Sequence, residues 1–308
     1  MTTLDVMTKE SMSTPVRLIV PFPRDGGSDI VSRAVARALA EQLERPVEVD
    51  NLGGRSGIVG ATEAARAPAD GETLYFGGTA TLAINPLIHD PLPYDPVADF
   101  APISMLGTAP SVLLVNPALG IASVAELIEA LRKRANMRFA SAGAFTPTHL
   151  AGELFQNMTG TSLQHIQHEG GGPALADALA GRVDVYFSGL ATAMPVVRAG
   201  RLRALAVTSI ERVAALPDLA TVAESGLPGF EVTNWYALLM PAGAPAPVIA
   251  SLNAAVSAAL APAEMRARFE EHGGTCAASS PEDCAAFIQK ERRKWADLIR
   301  RAAVRPKP

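Results

Sequence analysis

The chain has 308 residues, 48% hydrophobic and 19% charged, which is the balance of a globular protein and enough length for two lobes with separate cores. Its 27 basic and 31 acidic side chains give a net charge of −4 with no basic run or tail, which excludes a charge-built nucleic-acid surface. No apolar stretch reaches the roughly 18 residues needed to cross a bilayer; the run at Ser111–Val115 stops at Asn116-Pro117.

Residues 1–15 read as a disordered leader or expression remnant. Asp5, Lys9 and Glu10 make the stretch polar, and it has no apolar core of the kind an export signal needs. Either an export signal has been removed or the protein is cytoplasmic. From Val16 onward short β-type runs alternate with amphipathic helices, the pattern of an α/β protein. A strand at Val16–Val20 leads through a Pro- and Gly-rich turn into a helix from about Ser28 to Leu43, with Val31, Val35 and Leu39 on one face. Strands follow at Val47–Val49 and Leu74–Phe76, separated by the glycine-punctuated stretch Asn51–Gly60 and a helix near Thr62–Arg66. Gly77–Asn85 reads as a loop.

A second α/β block opens with a strand at Val112–Val115. Ser123 and Glu126 form a capping box for the next helix. Phe139–Ser141 is a strand, and Thr146 with Pro147 starts a helix to Met158. Gly170–Gly172 opens a helix over Pro173–Ala180, and strands are expected at Val183–Phe187, Leu205–Thr208 and Ala237–Met240. Two helices close the chain, the last over Pro281–Ala303. Cys276 and Cys284 flank its start; they are either a small-loop disulfide or two unrelated buried thiols.

Three glycine-rich turns share one position, after a strand and before a helix: Pro23–Ser28, Ala142–Thr146 and Glu169–Gly172. In open α/β sheets ligands bind there, outside the carboxyl ends of the strands. Backbone N–H groups and the positive end of a helix make each turn a seat for an anion.

At these turns the chain resembles the tripartite tricarboxylate transporter substrate-receptor family, the Bug proteins. The resemblance rests on Val20-Pro21-Phe22-Pro23 with Gly26-Gly27 and Asp29, on Pro68-Ala69-Asp70-Gly71-Glu72-Thr73-Leu74, and on Asp99-Phe100-Ala101-Pro102-Ile103. It continues through Ser141-Ala142-Gly143, Thr148-His149-Leu150-Ala151-Gly152-Glu153, Leu227-Pro228-Gly229-Phe230 and Trp235-Tyr236. The resemblance implies a type II periplasmic-binding-protein fold: two α/β lobes with a ligand cleft between them, one of residues 16–110 with 236–308, the other of 111–235. It also implies a periplasmic, monomeric, non-catalytic receptor that captures a small organic acid for a membrane transporter or a sensor kinase. Neither cofactor nor metal is expected.

The residues expected at the ligand are Pro23, Arg24, Asp25, Gly26, Gly27, Ser28 and Asp29 in the first turn. Thr79 and Thr81 follow the third strand; Ala142, Gly143, Phe145, Thr146 and His149 belong to the second turn. Glu169, Gly170 and Gly171 form the third, and Ser188 ends a strand. Several depart from the family pattern: Arg24-Asp25 intrudes in the first turn, Ala144-Phe145 in the second, and His168-Glu169 stands where the family carries Tyr-Lys. Two added acids would repel a simple dicarboxylate, so a zwitterionic or aromatic acid is one reading. Solvated charges and a packed Phe145 are the other. His149 reads as a packing or capping residue, or as a ligand contact. Trp235 and Tyr236 read as core at the interlobe crossing.

Three other functions have little support. Gly-x-Ser-x-Gly, Walker, dinucleotide and His-Glu-x-x-His motifs are missing, which argues against an enzyme. His165 and His168 lie three apart, so on a strand they face opposite sides and do not assemble a metal site with Glu169. A stand-alone sensor resembling the effector half of a LysR-type regulator is an alternative, though the chain has no N-terminal helix-turn-helix.

Overall fold

The computed structural model describes residues 14–301 except 135 and 272. The expected leader thus lies outside the described residues except for Thr14 and Pro15, as does the end of the last helix beyond Arg301.

Strand β1 (Val16–Val20) buries every side chain but that of Arg17, which reaches Asp50 on β2 (Val47–Asn51) at 2.7 Å. Between them α1 (Gly27–Leu43) lays Val31, Val35 and Leu39 on the sheet and ends at Glu44, whose φ of 52° stops the helix. The glycine-punctuated stretch after β2 leads into α2, which starts earlier than expected and runs Ile58–Arg66, ahead of β3 (Thr73–Gly78). The expected loop after β3 is instead a wide helical turn over Thr79–Ile84 that continues into α3 (Asn85–Ile88).

The chain then runs as one long strand, β4 (Phe100–Val115), of which only the last four residues, Val112–Val115, were expected. Pro102 and Pro110 mask the first half, because proline reads as a strand breaker. The structure accommodates the irregularity with register shifts at Pro102/Ser104 and Met105/Gly107. Up to Pro110 this strand pairs with β9 (Thr233–Pro241), and from Ser111 it pairs with β7 (Val185–Gly189). The chain therefore passes between two sheets at Pro110–Ser111. The first sheet holds β1, β2 and β3, then β9, β4 and the short β10 (Thr275–Cys276). The second joins the end of β4 to β7, β5 (Arg138–Ser141), β6 (Gln164–Gln167) and β8 (Arg203–Val207).

In the second half, α4 (Val124–Lys133) opens as the capping box predicted: Ser123 Oγ accepts from Glu126 N at 3.1 Å. Then come α5 (Pro147–Thr159), α6 (Gly171–Leu179) and α7 (Leu190–Arg198). The closing segment has three helices rather than two, α8 (Ala246–Leu260), α9 (Ala263–Glu271) and α10 (Pro281–Arg301), because Pro262 interrupts the first apolar run. Both cysteines are free thiols, Cys276 on β10 and Cys284 buried in α10.

Helix α10 ties the two halves together. One apolar cluster runs from Ile19 and Tyr75 through Trp235 and Trp295 to Phe139 and Phe187. Within it the buried carboxylate of Glu291 accepts from Trp235 Nε1 at 2.9 Å and from Trp295 Nε1 at 3.1 Å. Lys294, at 3.7 Å, balances its charge.

Candidate functional site

The strand-to-helix turns of both sheets meet over one cavity, whose interior offers about 80 Å³ to the centre of a water molecule. That is room for a small solute or several waters. The first turns of four helices line it: Gly27 and Ser28 of α1, Pro147 and Thr148 of α5, Gly171 of α6, and Leu190, Ala191 and Thr192 of α7. The start of the Thr79 turn completes that rim. The residues before these helices, Gly26, Thr146, Gly170 and Gly189, provide no side-chain cap. Uncapped first-turn N–H groups point back along each helix axis, and the turns that carry them line the cavity. Among the described residues, none that lines it is charged at neutral pH. The field inside is set by backbone dipoles, each helix end contributing about 0.3–2 kcal/mol toward an anion.

Side chains hold the turns in shape. In the first, Asp29 is buried and accepts from Asp25 N and Asn51 Nδ2, each at 3.0 Å, and pairs with Arg33 at 2.9 Å. Burial raises its pKa, but the bonds from Arg33, Asp25 and Asn51 outweigh that and leave it lowered. Asp25 takes a φ of 65°, a conformation that Asp tolerates better than most residues. In this way the Arg24-Asp25 intrusion fits a turn that otherwise needs glycine.

The second turn is braced from α5. Ala142 N donates to Thr148 Oγ1 at 3.0 Å, and Thr146 Oγ1 donates to Gly143 O at 2.7 Å. Phe145 N donates to His149 Nδ1 at 3.0 Å, so His149 is a brace for the turn. The Phe145 ring meets His89 and His149 edge-on. In the third turn Tyr186 OH donates to Gly171 O at 2.9 Å and His168 Nε2 bonds Asp177 at 2.8 Å.

The turns of the two sheets touch. Ser56 Oγ donates to Ala144 O at 2.5 Å. A methyl group placed on Gly170, whose φ is 123°, would come within 2.6 Å of Pro23 Cγ. Thr192 Oγ1 sits between Gly27 and Gly171, 3.6 Å and 3.4 Å from where their Cβ atoms would stand.

Of the residues expected at a ligand, Gly26, Gly27, Ser28, Thr79, Ala142, Thr146 and Gly171 line the cavity. Pro23, Gly143, Glu169 and Gly170 line a narrow gap just outside it. Arg24, Asp25, Asp29, Thr81, Phe145, His149 and Ser188 line neither. Thr81 Oγ1 instead accepts from Tyr75 OH at 2.7 Å, and the buried Ser188 Oγ donates to Gly189 O at 3.1 Å. The acids Asp25 and Glu169, expected to repel a dicarboxylate, are exposed. His165 and His168 do diverge: His165 bonds Ser141 at 2.8 Å, His168 bonds Asp177.

The cavity also has walls that sequence reading missed: Ser111, Thr148, Thr192, Asn234 and Tyr236. Tyr236, expected as core, is buried and faces the cavity; burial raises its phenol pKa, with Ser28 and Asn234 beside it partly offsetting the rise. Thr192 could have been found, because Phe187-Ser188-Gly189 repeats the strand–glycine–helix pattern of the other three turns.

The profile of the tripartite tricarboxylate transporter family receptor matches residues 31–304. Protein BugT of Bordetella pertussis is 34% identical over 295 residues, 95% of this chain and 90% of its own. Among solved structures, Rpa4515 of R. palustris with adipate superimposes at a TM-score of 0.92 and 33% identity, covering 96% of this chain and 99% of its own. The periplasmic binding protein BugD superimposes at 0.91 with 31% identity, covering 95% and 99%. MatC of Rhodopseudomonas palustris with bound malate gives 0.86 and 31%, covering 92% and 98%. These neighbours share the two-lobed α/β fold of periplasmic binding proteins. The chain belongs to the tripartite tricarboxylate transporter receptor family.

Proposed function

We propose that this protein is a periplasmic receptor that encloses a small carboxylate between its two lobes and presents it, unaltered, to a membrane transporter. The observation that carries the reading is the ring of four uncapped helix N-termini around a cavity without charged side chains. Such a site stabilises negative charge on a guest and supplies no counter-ion of its own. The walls between the helix ends are apolar, with Phe22, Phe76 and Leu190 suited to a short methylene chain. Two structural neighbours were solved with adipate and malate, and both ligands are dicarboxylates. With Asp25 and Glu169 outside the cavity, the reason to disfavour such a ligand falls away. The lobes in this reading are residues 16–110 with 236–308, and residues 111–235, joined where β4 passes between the sheets and where the chain enters β9.

A non-catalytic role fits the chemistry of the walls. Among the described residues no His, Cys, Asp, Glu or Lys lines the cavity, so none of them offers a general base to a guest there. The Ser141–His165 pair lies beneath the second turn, where Ser141 Oγ donates to Gly143 O. Calorimetric titration with C4–C6 dicarboxylates, followed by mass spectrometry of the recovered ligand, tests both halves of the reading. Saturable binding with unchanged ligand mass is expected; a mass change or no binding to any of them contradicts it.

A further inference from the structure

We infer that the protein carries a second organic-anion site behind the cleft, in the cavity between α1, α9 and the first turn of α7. This cavity offers about 330 Å³, within the range of small-molecule sites. Arg33 and Arg37 from α1 and Arg268 from α9 line it, and among the described residues no acidic side chain does. Two of the three are neutralised by carboxylates outside the wall, so the surplus at the cavity is the single charge of Arg37.

The three arginines are not equally engaged. Arg33 is held by Asp29 at 2.9 Å, and Arg268 by Glu264 at 2.7 Å. Arg37 makes no ion pair among the described residues. It stands one turn along α1 from Arg33, where like charges repel and an anion placed between them relieves the repulsion. A guanidinium with free N–H groups takes a carboxylate in a two-point bond.

Apart from Thr108, the rest of the wall is apolar. Val31 and Phe269 face the arginines, and the methyls of Ala109 and Ala191 close the inner side. Those two alanines also line the cleft cavity, so they form the partition between the two spaces. Ala109 lies on β4 just before the chain crosses between sheets, and Ala191 belongs to α7 on the far side of the crossing. The chemistry selects an organic monoanion with a short aromatic or aliphatic body: the acid group on Arg37, the body between Val31 and Phe269. Such a guest touches elements on both sides of the crossing.

Fluorine NMR of the full chain with 4-fluorobenzoate as the probe tests this site. Saturable binding is expected, weakened about tenfold by Arg37→Ala, the loss of one charged hydrogen-bonding partner. Ala34→Leu, which adds bulk on the α1 wall of this cavity and keeps every charge, weakens it as well. Thr192→Leu, which fills the cleft instead, leaves it unchanged. Lack of saturable binding to the native chain overturns the site. So does native affinity in both Arg37→Ala and Ala34→Leu, or loss of binding in Thr192→Leu alone, which places the probe in the cleft.

Discussion

The Ser56 hydroxyl donates to the Ala144 carbonyl across 88 positions of sequence, joining the loop after β2 to the turn after β5 at the narrow gap outside the cavity. It is a direct polar bond between the two halves, and no charge is involved.

Ser56→Ala removes that bond and leaves the Ala144 carbonyl near solvent. Ligand affinity is expected to fall by about fivefold, the worth of one neutral hydrogen bond, with unfolding temperature nearly unchanged. Calorimetry and thermal unfolding on the same variant separate the two effects. A stability loss with unchanged affinity would mean that the bond serves folding and not closure.

Gly170→Ala adds a methyl where Pro23 Cγ stands 2.6 Å away, at a φ of 123° that side chains rarely adopt. The third turn must back away from the first, and closure over the ligand suffers. A fall in affinity of at least about tenfold is expected, together with a larger radius of gyration in the ligand-bound state by small-angle scattering. A native scattering profile and native affinity would contradict this.

Glu291→Ala strands two buried indole N–H groups, on Trp235 and Trp295, and leaves Lys294 without its buried partner. The cost is expected at about 2–4 kcal/mol in chemical denaturation, while Glu291→Gln, which keeps one acceptor oxygen, costs less. Equal losses in the two variants would show that the charge matters more than the hydrogen bonds.

Asp29 gives a pH test with a defined sign. Its pKa is lowered in the folded state by Arg33, Asp25 and Asn51 against the opposing effect of burial. Its contribution is therefore present above the ordinary carboxylate value and is lost as pH falls through the lowered one. Asp29→Asn is expected to be less stable than the native chain at neutral pH, with the gap narrowing on acidification below about pH 4. A gap that widens on acidification would contradict the assignment. Ligand affinity itself is expected to stay flat between about pH 6 and pH 9, because among the described residues Tyr236 is the only titratable wall of the cavity and burial raises its phenol further.

The sequence made the alternation of strands and helices readable, and with it the three glycine turns, because each is a local pattern of period and breaker. The first half of β4 was not readable, since Pro102 and Pro110 sit in a strand whose register shifts absorb them. Among the site residues, the turn glycines and the hydroxyl residues Ser28, Thr79 and Thr146 were found, and walls supplied from outside the three turns were missed. Thr192, Asn234 and Tyr236 reach the cavity only because α7 and β9 are brought beside the turns by pairing distant in sequence. Ser188 shows the limit of strand-end reasoning: alternation buries its side chain while Gly189, the next residue, lines the cavity. Asp25 and Glu169 were conspicuous as departures, yet both point to solvent.

The central claim is that helix ends, and not charged side chains, recognise a negative guest. Calorimetry comparing the best-bound C4–C6 dicarboxylate with its neutral diamide tests it most directly. The diamide keeps the shape and loses the charge. The acid is expected to bind at least about eightfold more tightly, because four helix ends at about 0.3 kcal/mol or more each sum to at least about 1.2 kcal/mol. Equal affinity for acid and diamide would contradict the claim.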